Sequence, residues 1–275
     1  MKEGLVALTA FQVASLRIIS AGIVLLPVAL RHFKSVPKNK IGTIFISGVL
    51  GSLLPAYLFC IAEERIDSAL AGTLNALTPV FVIIMGALFF SSKTSVIKIA
   101  GIILSLSGSV LLFFVQPGFH ENSNVKDVLL VVIATMMYGI NVNLVSKYLK
   151  EIPSLHIAAL ALVFNAIPAL IVLFFTGYFS ADIFSTPMLI ATGFTFLLGI
   201  FGTAVASVLF YMLMKRAGMV FSSMVTYAIP VVAVMWGIFY GEEIGWIQGV
   251  CLVIILSGVY LANLTTKKPH VKLIP

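Results

Sequence analysis

Nine blocks of about 20 residues, each almost free of charge, fill this chain of 275 residues. A helix rises about 1.5 Å per residue, so a block of that length matches the roughly 30 Å hydrocarbon core of a bilayer. The blocks run Leu5–Leu30, Ile41–Ala62, Ser68–Phe90, Ile97–Val115, Val128–Val145, Leu155–Thr176, Met188–Met214, Met219–Tyr240 and Ile244–Leu264. Residues are 60% hydrophobic and only 10% charged, and mean hydropathy is +1.13. Soluble domains carry about 25% charged residues, so a water-soluble enzyme is excluded, as is a disordered chain. The fold class is all-α, a polytopic helical membrane protein. The first block is too long for a signal peptide and ends in a basic loop, so it reads as a retained helix.

Charge placement orients the chain. Numbering the connections alternately, one set holds Arg31, Lys34, Lys38, Lys40, Lys93, Lys98, Lys147, Lys150, Lys215, Arg216, Lys267, Lys268 and Lys272, against the single acid Glu151. The other set holds Lys2, Arg65 and Lys126 against Glu3, Glu63, Glu64, Asp67, Glu121, Asp127, Asp182, Glu242 and Glu243. By the positive-inside rule the first set, and the C-terminus with it, is cytoplasmic, and nine spans put the N-terminus outside. This placement explains the net charge of +7 without nucleic-acid binding. The loop charges read as solvated ends and topology signals.

The two halves repeat. At an offset of 151, Gly48, Gly51, Leu58, Phe59, Arg65, Pro79, Val80 and Gly86 meet Gly199, Gly202, Leu209, Phe210, Arg216, Pro230, Val231 and Gly237. Ser107-Gly108 matches Ser257-Gly258 one residue out of that register. Equivalent loops carry opposite charge: Glu63-Glu64-Arg65-Ile66-Asp67 aligns with Met214-Lys215-Arg216-Ala217-Gly218. That is the mark of an inverted-topology repeat, common among secondary transporters. The domain reading is residues 1–117 as a first repeat of four helices, 118–126 as linker, 127–266 as a second repeat of five, and 267–275 as a cytoplasmic tail. The partner of Val128–Val145 would precede Met1. Either the chain has 4 + 5 helices or its start is truncated or assigned one helix late, and the second is the expectation.

Three stretches resemble a known family: Leu8-Thr-Ala-Phe-Gln-Val-Ala-Ser-Leu-Arg17, Ser68-Ala-Leu-Ala-Gly-Thr-Leu-Asn-Ala-Leu-Thr-Pro79, and Leu256-Ser-Gly-Val-Tyr-Leu261. They resemble the drug/metabolite transporter superfamily, EamA type, over essentially the whole chain. The resemblance implies ten helices in two inverted five-helix repeats around a central cavity, and export or exchange of small metabolites. This chain departs from it by lacking the first transmembrane helix.

Candidate site residues follow from side-chain chemistry. A proline inside a helix leaves the carbonyl four residues back without its partner. In lipid such a carbonyl is tolerated only where buried or facing a cavity. Pro79 frees Asn75 and Pro230 frees Thr226, so two symmetry-related helices each present a loosened turn and a polar side chain. The other reading is a plain packing kink. Tyr227 is adjacent. Arg17 is the ionisable residue well inside a span, where burial costs about 2.5–3.5 kcal/mol on insertion scales. It is either a contact for an anionic substrate group or a structural partner of backbone carbonyls at a helix end. Asn141, Asn143 and Asn165 are amides within spans, which either hydrogen-bond across helices or touch substrate. Tyr211 and Trp236 either stack on a substrate or pack. The substrate-pocket set is thus Arg17, Asn75, Pro79, Asn141, Asn165, Tyr211, Thr226, Tyr227 and Pro230.

Spans without a central carboxylate favour facilitated diffusion or exchange over proton coupling. No zinc-binding His pair, P-loop or nucleophile elbow occurs, and Cys60 and Cys251 make no metal or disulfide pattern. No catalytic residues, metal or cofactor are expected, and an ATP-driven pump is excluded for this chain alone. The expected function is a secondary transporter of small organic molecules in a bacterial-type inner (plasma) membrane. Its partners are a small-molecule substrate and the lipid bilayer, not nucleic acid, and a homodimer is left open. The competing reading is a non-transport membrane protein or an inactive truncated remnant.

Overall fold

Thr9 starts the first long helix. The Gln12 N–H donates to Thr9 Oγ1 at 3.3 Å, and the Thr9 N–H donates to Gln12 Oε1 at 3.0 Å, a reciprocal cap that satisfies two otherwise unpaired donors. A short helix α1 (Lys2–Leu5) precedes it, so the expected span from Leu5 begins instead as α2 (Ala10–His32). The computed structural model describes residues 2–66, 68–115, 125–229, 232 and 245–263. Among these no strand occurs.

Two spans contain a widened turn. Helix α3 (Lys38–Gly48) passes through a π-helical segment, Val49–Leu53, into α4 (Leu54–Glu63). There the Leu54 N–H reaches back five residues to Val49 O. Pro55 follows directly and brings no N–H of its own to the widened turn. In the second half α10 (Thr186–Gly199) passes through Ile200–Val205, also π-helical, into α11 (Ala206–Ala217). The two segments stand in the offset that aligns the repeats.

The span expected over Ser68–Phe90 is two helices, α5 (Ser68–Asn75) and α6 (Thr78–Phe90). Pro79 therefore opens a helix rather than bending one, at a position where its lack of an N–H costs nothing. Helices α7 (Val96–Val115), α8 (Val125–Tyr148) and α9 (Ser154–Phe175) follow. After α11 come α12 (Met219–Ser223) and a 3₁₀ turn, Met224–Tyr227. Helix α13 (Trp246–Asn263) is the last described. Six of these stretches are long and apolar enough to cross a membrane: Ala10–Ser35, Lys38–Glu63, Leu70–Phe90, Val125–Tyr148, Ser154–Phe175 and Thr186–Ala217. Val96–Leu112 and Trp246–Ala262 are shorter apolar helices.

Equivalent helices of the two halves run antiparallel against each other. Gln12 Nε2 donates to Thr176 O at 3.1 Å, Gly22 lies against Ala166, and the His32 and His156 rings stack at 4.1 Å. Each step of ten residues forward along α2 is thus ten residues back along α9. Helices α7 and α13 do the same. Gly101 meets Gly258 and Ala262, Gly108 meets Ile254 and Ile255, and Ser105 Oγ donates to Ile255 O at 3.0 Å. Lipid supplies no hydrophobic drive between helices, so close approach at small residues supplies much of the attraction.

Each half also borrows the other's helix. A Cβ on Gly199 would strike Ser20 Oγ and Arg17 O, and one on Gly48 would strike Asn165 Nδ2 and, at 2.7 Å, Ala161 O. The two contacts are the same contact turned over. This is an inverted repeat with its halves interleaved.

The two ends of the bundle differ in charge. At one end the Ala10 N–H donates to Glu64 Oε1 at 2.9 Å, placing a carboxylate on the positive end of α2. At the other, Lys215 Nζ donates to Lys150 O and Ile152 O, and Lys147 Nζ reaches Phe90 O. His32 and His156 lie at this second end. One expectation needs correction: Glu63 and Asp127 are not solvated loop ends. Both side chains are buried, Glu63 closing α4 and Asp127 in the first turn of α8.

Candidate functional site

A cavity of about 480 Å³ lies where the two halves meet. Both π-helical segments reach its wall, through Gly51 and Ser52 from one and Gly202 and Thr203 from the other. The helix break contributes Asn75 and Thr78, and the 3₁₀ turn contributes Thr226. Each of these is a place where the regular helical ladder is interrupted, which lipid tolerates only inside protein or beside a cavity.

Arg17 is the one charged residue on this wall among the described residues. It stands seven residues into α2, about 10 Å from the helix start. Its Nε donates to Thr203 Oγ1 at 2.7 Å, so a cation of the first half is held by the π-helical segment of the second. Tyr138 and Cys60 lie within reach of its charge.

A second polar group lies along α8 and α11. Asn141 Nδ2 donates to Tyr211 Oη at 3.2 Å, and Tyr211 Oη is also 3.3 Å from Ser47 Oγ. The remaining wall mixes hydroxyls, such as Ser207 and Ser223, with apolar and aromatic surface from Val142, Leu209 and Phe210. Asn75 Oδ1 accepts from Thr78 Oγ1 at 3.0 Å, and Thr226 Oγ1 donates to Ser223 O at 3.1 Å. The arrangement offers one cation, several hydroxyls and amides, and an aromatic surface. Among the described residues no group of His, Cys, Asp or Glu is arranged to hold a metal.

Of the residues singled out from sequence, Arg17, Asn75, Asn141, Tyr211 and Thr226 lie on the cavity wall. Pro79, Asn165 and Tyr227 do not. Pro79 is buried in the first turn of α6. Asn165 spends its amide hydrogens on Ala161 O at 2.7 Å and Phe45 O at 3.3 Å, tying α9 to α3. Tyr227 turns away and donates to Ile102 O on α7 at 3.2 Å. Pro230 and Trp236 lie outside the described residues. Asn143 is helix glue as well, donating to Val82 O at 2.8 Å and Gly139 O at 2.9 Å. Sequence reasoning missed Ser52, Thr78, Tyr138, Thr203 and Ser207. The glycine pairs at 48/51 and 199/202 were the available signal for the π-helical segments.

Fold and cavity together define a polytopic helical membrane protein built from an inverted repeat around a central chamber that carries one cation and several hydroxyls and amides. The sequence matches the EamA-like transporter family over residues 1–114 and 125–264, and the chain belongs to that family. It is thereby a member of a family of membrane transporters. Among curated proteins it is 25% identical over 136 residues to an uncharacterized transporter of Archaeoglobus fulgidus, covering 50% of this chain and 46% of that protein. The match thus spans about half the length of that relative. It is 22% identical over 233 residues to Protein PagO of Salmonella typhimurium, covering 82% of this chain and 73% of that protein. A solved crystal structure aligns with a TM-score of 0.69 over 93% of this chain and 88% of its own, at 18% identity, a likeness of fold.

Proposed function

We propose that this chain works as a secondary transporter that exports or exchanges small organic metabolites by alternating access. The two halves rock about the central cavity, exposing it to one side of the membrane and then the other. The observation that carries this reading is that one cavity, lined by interrupted turns from both halves, holds Arg17 as the one charged side chain among the described residues. Asn75 and Thr226 contact substrate from equivalent positions, and Arg17 draws in a negative group. The helix break before Pro79 supplies a joint at which α5 moves relative to α6. Lys147, Lys150 and Lys215 gather at one end of the bundle. By the positive-inside rule that end, and the C-terminus, faces the cytoplasm of a bacterial-type inner membrane.

Metabolite profiling of the medium and cytosol tests this. Cells overproducing the full-length protein are expected to shift at least one small organic anion between the two compartments. The double variant Asn75→Ala, Thr226→Ala should reduce that shift about tenfold while the protein stays in the membrane at its usual level, as expected for loss of one or two substrate hydrogen bonds. An unchanged shift would remove these two residues from the pocket. No shift with the wild-type protein would count against transport itself.

A further inference from the structure

Among the amides buried in the bundle, Asn141 differs from its neighbours. Asn143 uses its hydrogens on two backbone carbonyls and its oxygen toward Ser92 Oγ at 3.5 Å. Asn165 uses its hydrogens likewise and its Oδ1 is also unpartnered among the described residues, but it lies off the cavity. Asn141 gives a hydrogen to Tyr211 Oη, yet its Oδ1 has no hydrogen-bond partner among the described residues, and the residue forms part of the cavity wall. A buried acceptor left without a donor costs about 1–3 kcal/mol.

The amide is also held in place. Gly51, in the first π-helical segment, lies directly beneath it, and a Cβ there would fall 2.8 Å from Asn141 Cγ. Tyr211 holds its nitrogen, and Ser47 lies behind Tyr211. Side chains from both halves therefore orient one amide on the wall. Tyr138, one turn earlier on the same helix, lines the cavity together with Arg17. The cation and the unsatisfied acceptor thus line the same cavity. The oxygen is shielded from solvent, but the last torsion of an amide side chain is soft.

We propose that Asn141 is the specificity-determining contact of this cavity: its Oδ1 accepts a hydrogen bond from a substrate that is a small organic anion bearing a hydroxyl or amine hydrogen, with the anionic end at Arg17. This rests on the reading of the cavity as the substrate site. Discrimination follows from chemistry. An analogue without the donor enters the same space but forgoes that hydrogen bond, a loss of about tenfold in affinity. Tyr211 and Ser47 act as positioning residues for the amide.

Phenyllactate and hydrocinnamate differ by one hydroxyl, carry the same carboxylate, and have a ring suited to the aromatic wall. Thermal stabilisation of the purified full chain is measured against the concentration of each. Phenyllactate is expected to reach its half-maximal effect at about tenfold lower concentration. In Asn141→Leu the two concentrations should converge, the tenfold ratio falling to about one. In Tyr211→Phe, which frees the amide nitrogen, the ratio should fall to about threefold or less. Persistence of the full ratio in either variant overturns the proposal, and a poorly folded leucine variant leaves the phenylalanine variant to decide. Equal responses in the wild type, both abolished by Arg17→Ala, would overturn the role of Asn141 and leave the anion site standing. No response to either acid at tens of millimolar would overturn both.

Discussion

Replacing Gly258 by leucine is expected to leave little folded protein. A Cβ at this position would lie 2.5 Å from the Ser105 backbone nitrogen and 2.6 Å from Gly101 O. Both obstacles are backbone on the facing helix, so no rotamer change relieves them and α7 and α13 must separate. Overpacking a well-packed interior costs about 1–3 kcal/mol when side chains can adjust. Here the separation also breaks the Ser105–Ile255 hydrogen bond and opens the contact across which the two halves face each other. Gly249, on the same helix, has nothing among the described residues within 4 Å of its Cβ position, so Gly249→Leu is the matched control. Fluorescence-detected size exclusion of the two variants in mild detergent checks this: Gly258→Leu should lose the monodisperse peak and Gly249→Leu should keep it. Equal profiles would show that the α7–α13 crossing tolerates separation.

Arg17→Ala is expected to abolish the compartment shift of anionic metabolites, by about 100-fold or more. Charge-assisted hydrogen bonds are worth about 1.5–3 kcal/mol each, and no other charged residue lies on the described wall to replace this one. Arg17→Lys separates charge from geometry. It keeps the cation but cannot reproduce both the Nε bond to Thr203 and a two-pronged grip on a carboxylate. The lysine variant should therefore recover roughly a tenth of the wild-type shift. If both variants transport normally while the protein remains folded, the arginine serves α2 and the second π-helical segment as a structural link only.

Much of the architecture could be read from the sequence because lipid allows so few solutions. Spans announce themselves as apolar blocks, and the paired glycines and prolines with reversed loop charge announced the inversion. The antiparallel meeting of α2 with α9 follows from that inversion, since helices related by a two-fold axis in the membrane plane must run in opposite directions. Other features had no local signature that decides between alternatives. The π-helical segments are shifts of hydrogen-bond register, and Gly51 and Gly202 permit them without requiring them. Proline at position 79 reads the same whether it kinks a helix or opens one. Asn141 and Asn165 are chemically identical, and only the helix face each occupies decides that one reaches the cavity and the other ties α9 to α3. Glu63 and Asp127 stand beside loops in sequence, yet the ends of the bundle bury them. The cavity residues contributed by Tyr138, Thr203 and Ser207 depend on how helices from opposite halves meet, which no single stretch records.

The whole account depends on the two halves facing in opposite directions across the bilayer. Glu64 lies at the Ala10 end of α2 and Lys215 lies with Lys150 and Ile152 at the end marked by the His32–His156 stack. Single cysteines placed by Glu64→Cys and Lys215→Cys, with the buried Cys60 and Cys251 replaced by alanine, can be labelled with a membrane-impermeant maleimide. Intact cells should label position 64 and spare position 215, which should react only once the membrane is opened. Labelling of both positions from the same side would contradict the inverted arrangement and the cavity built on it.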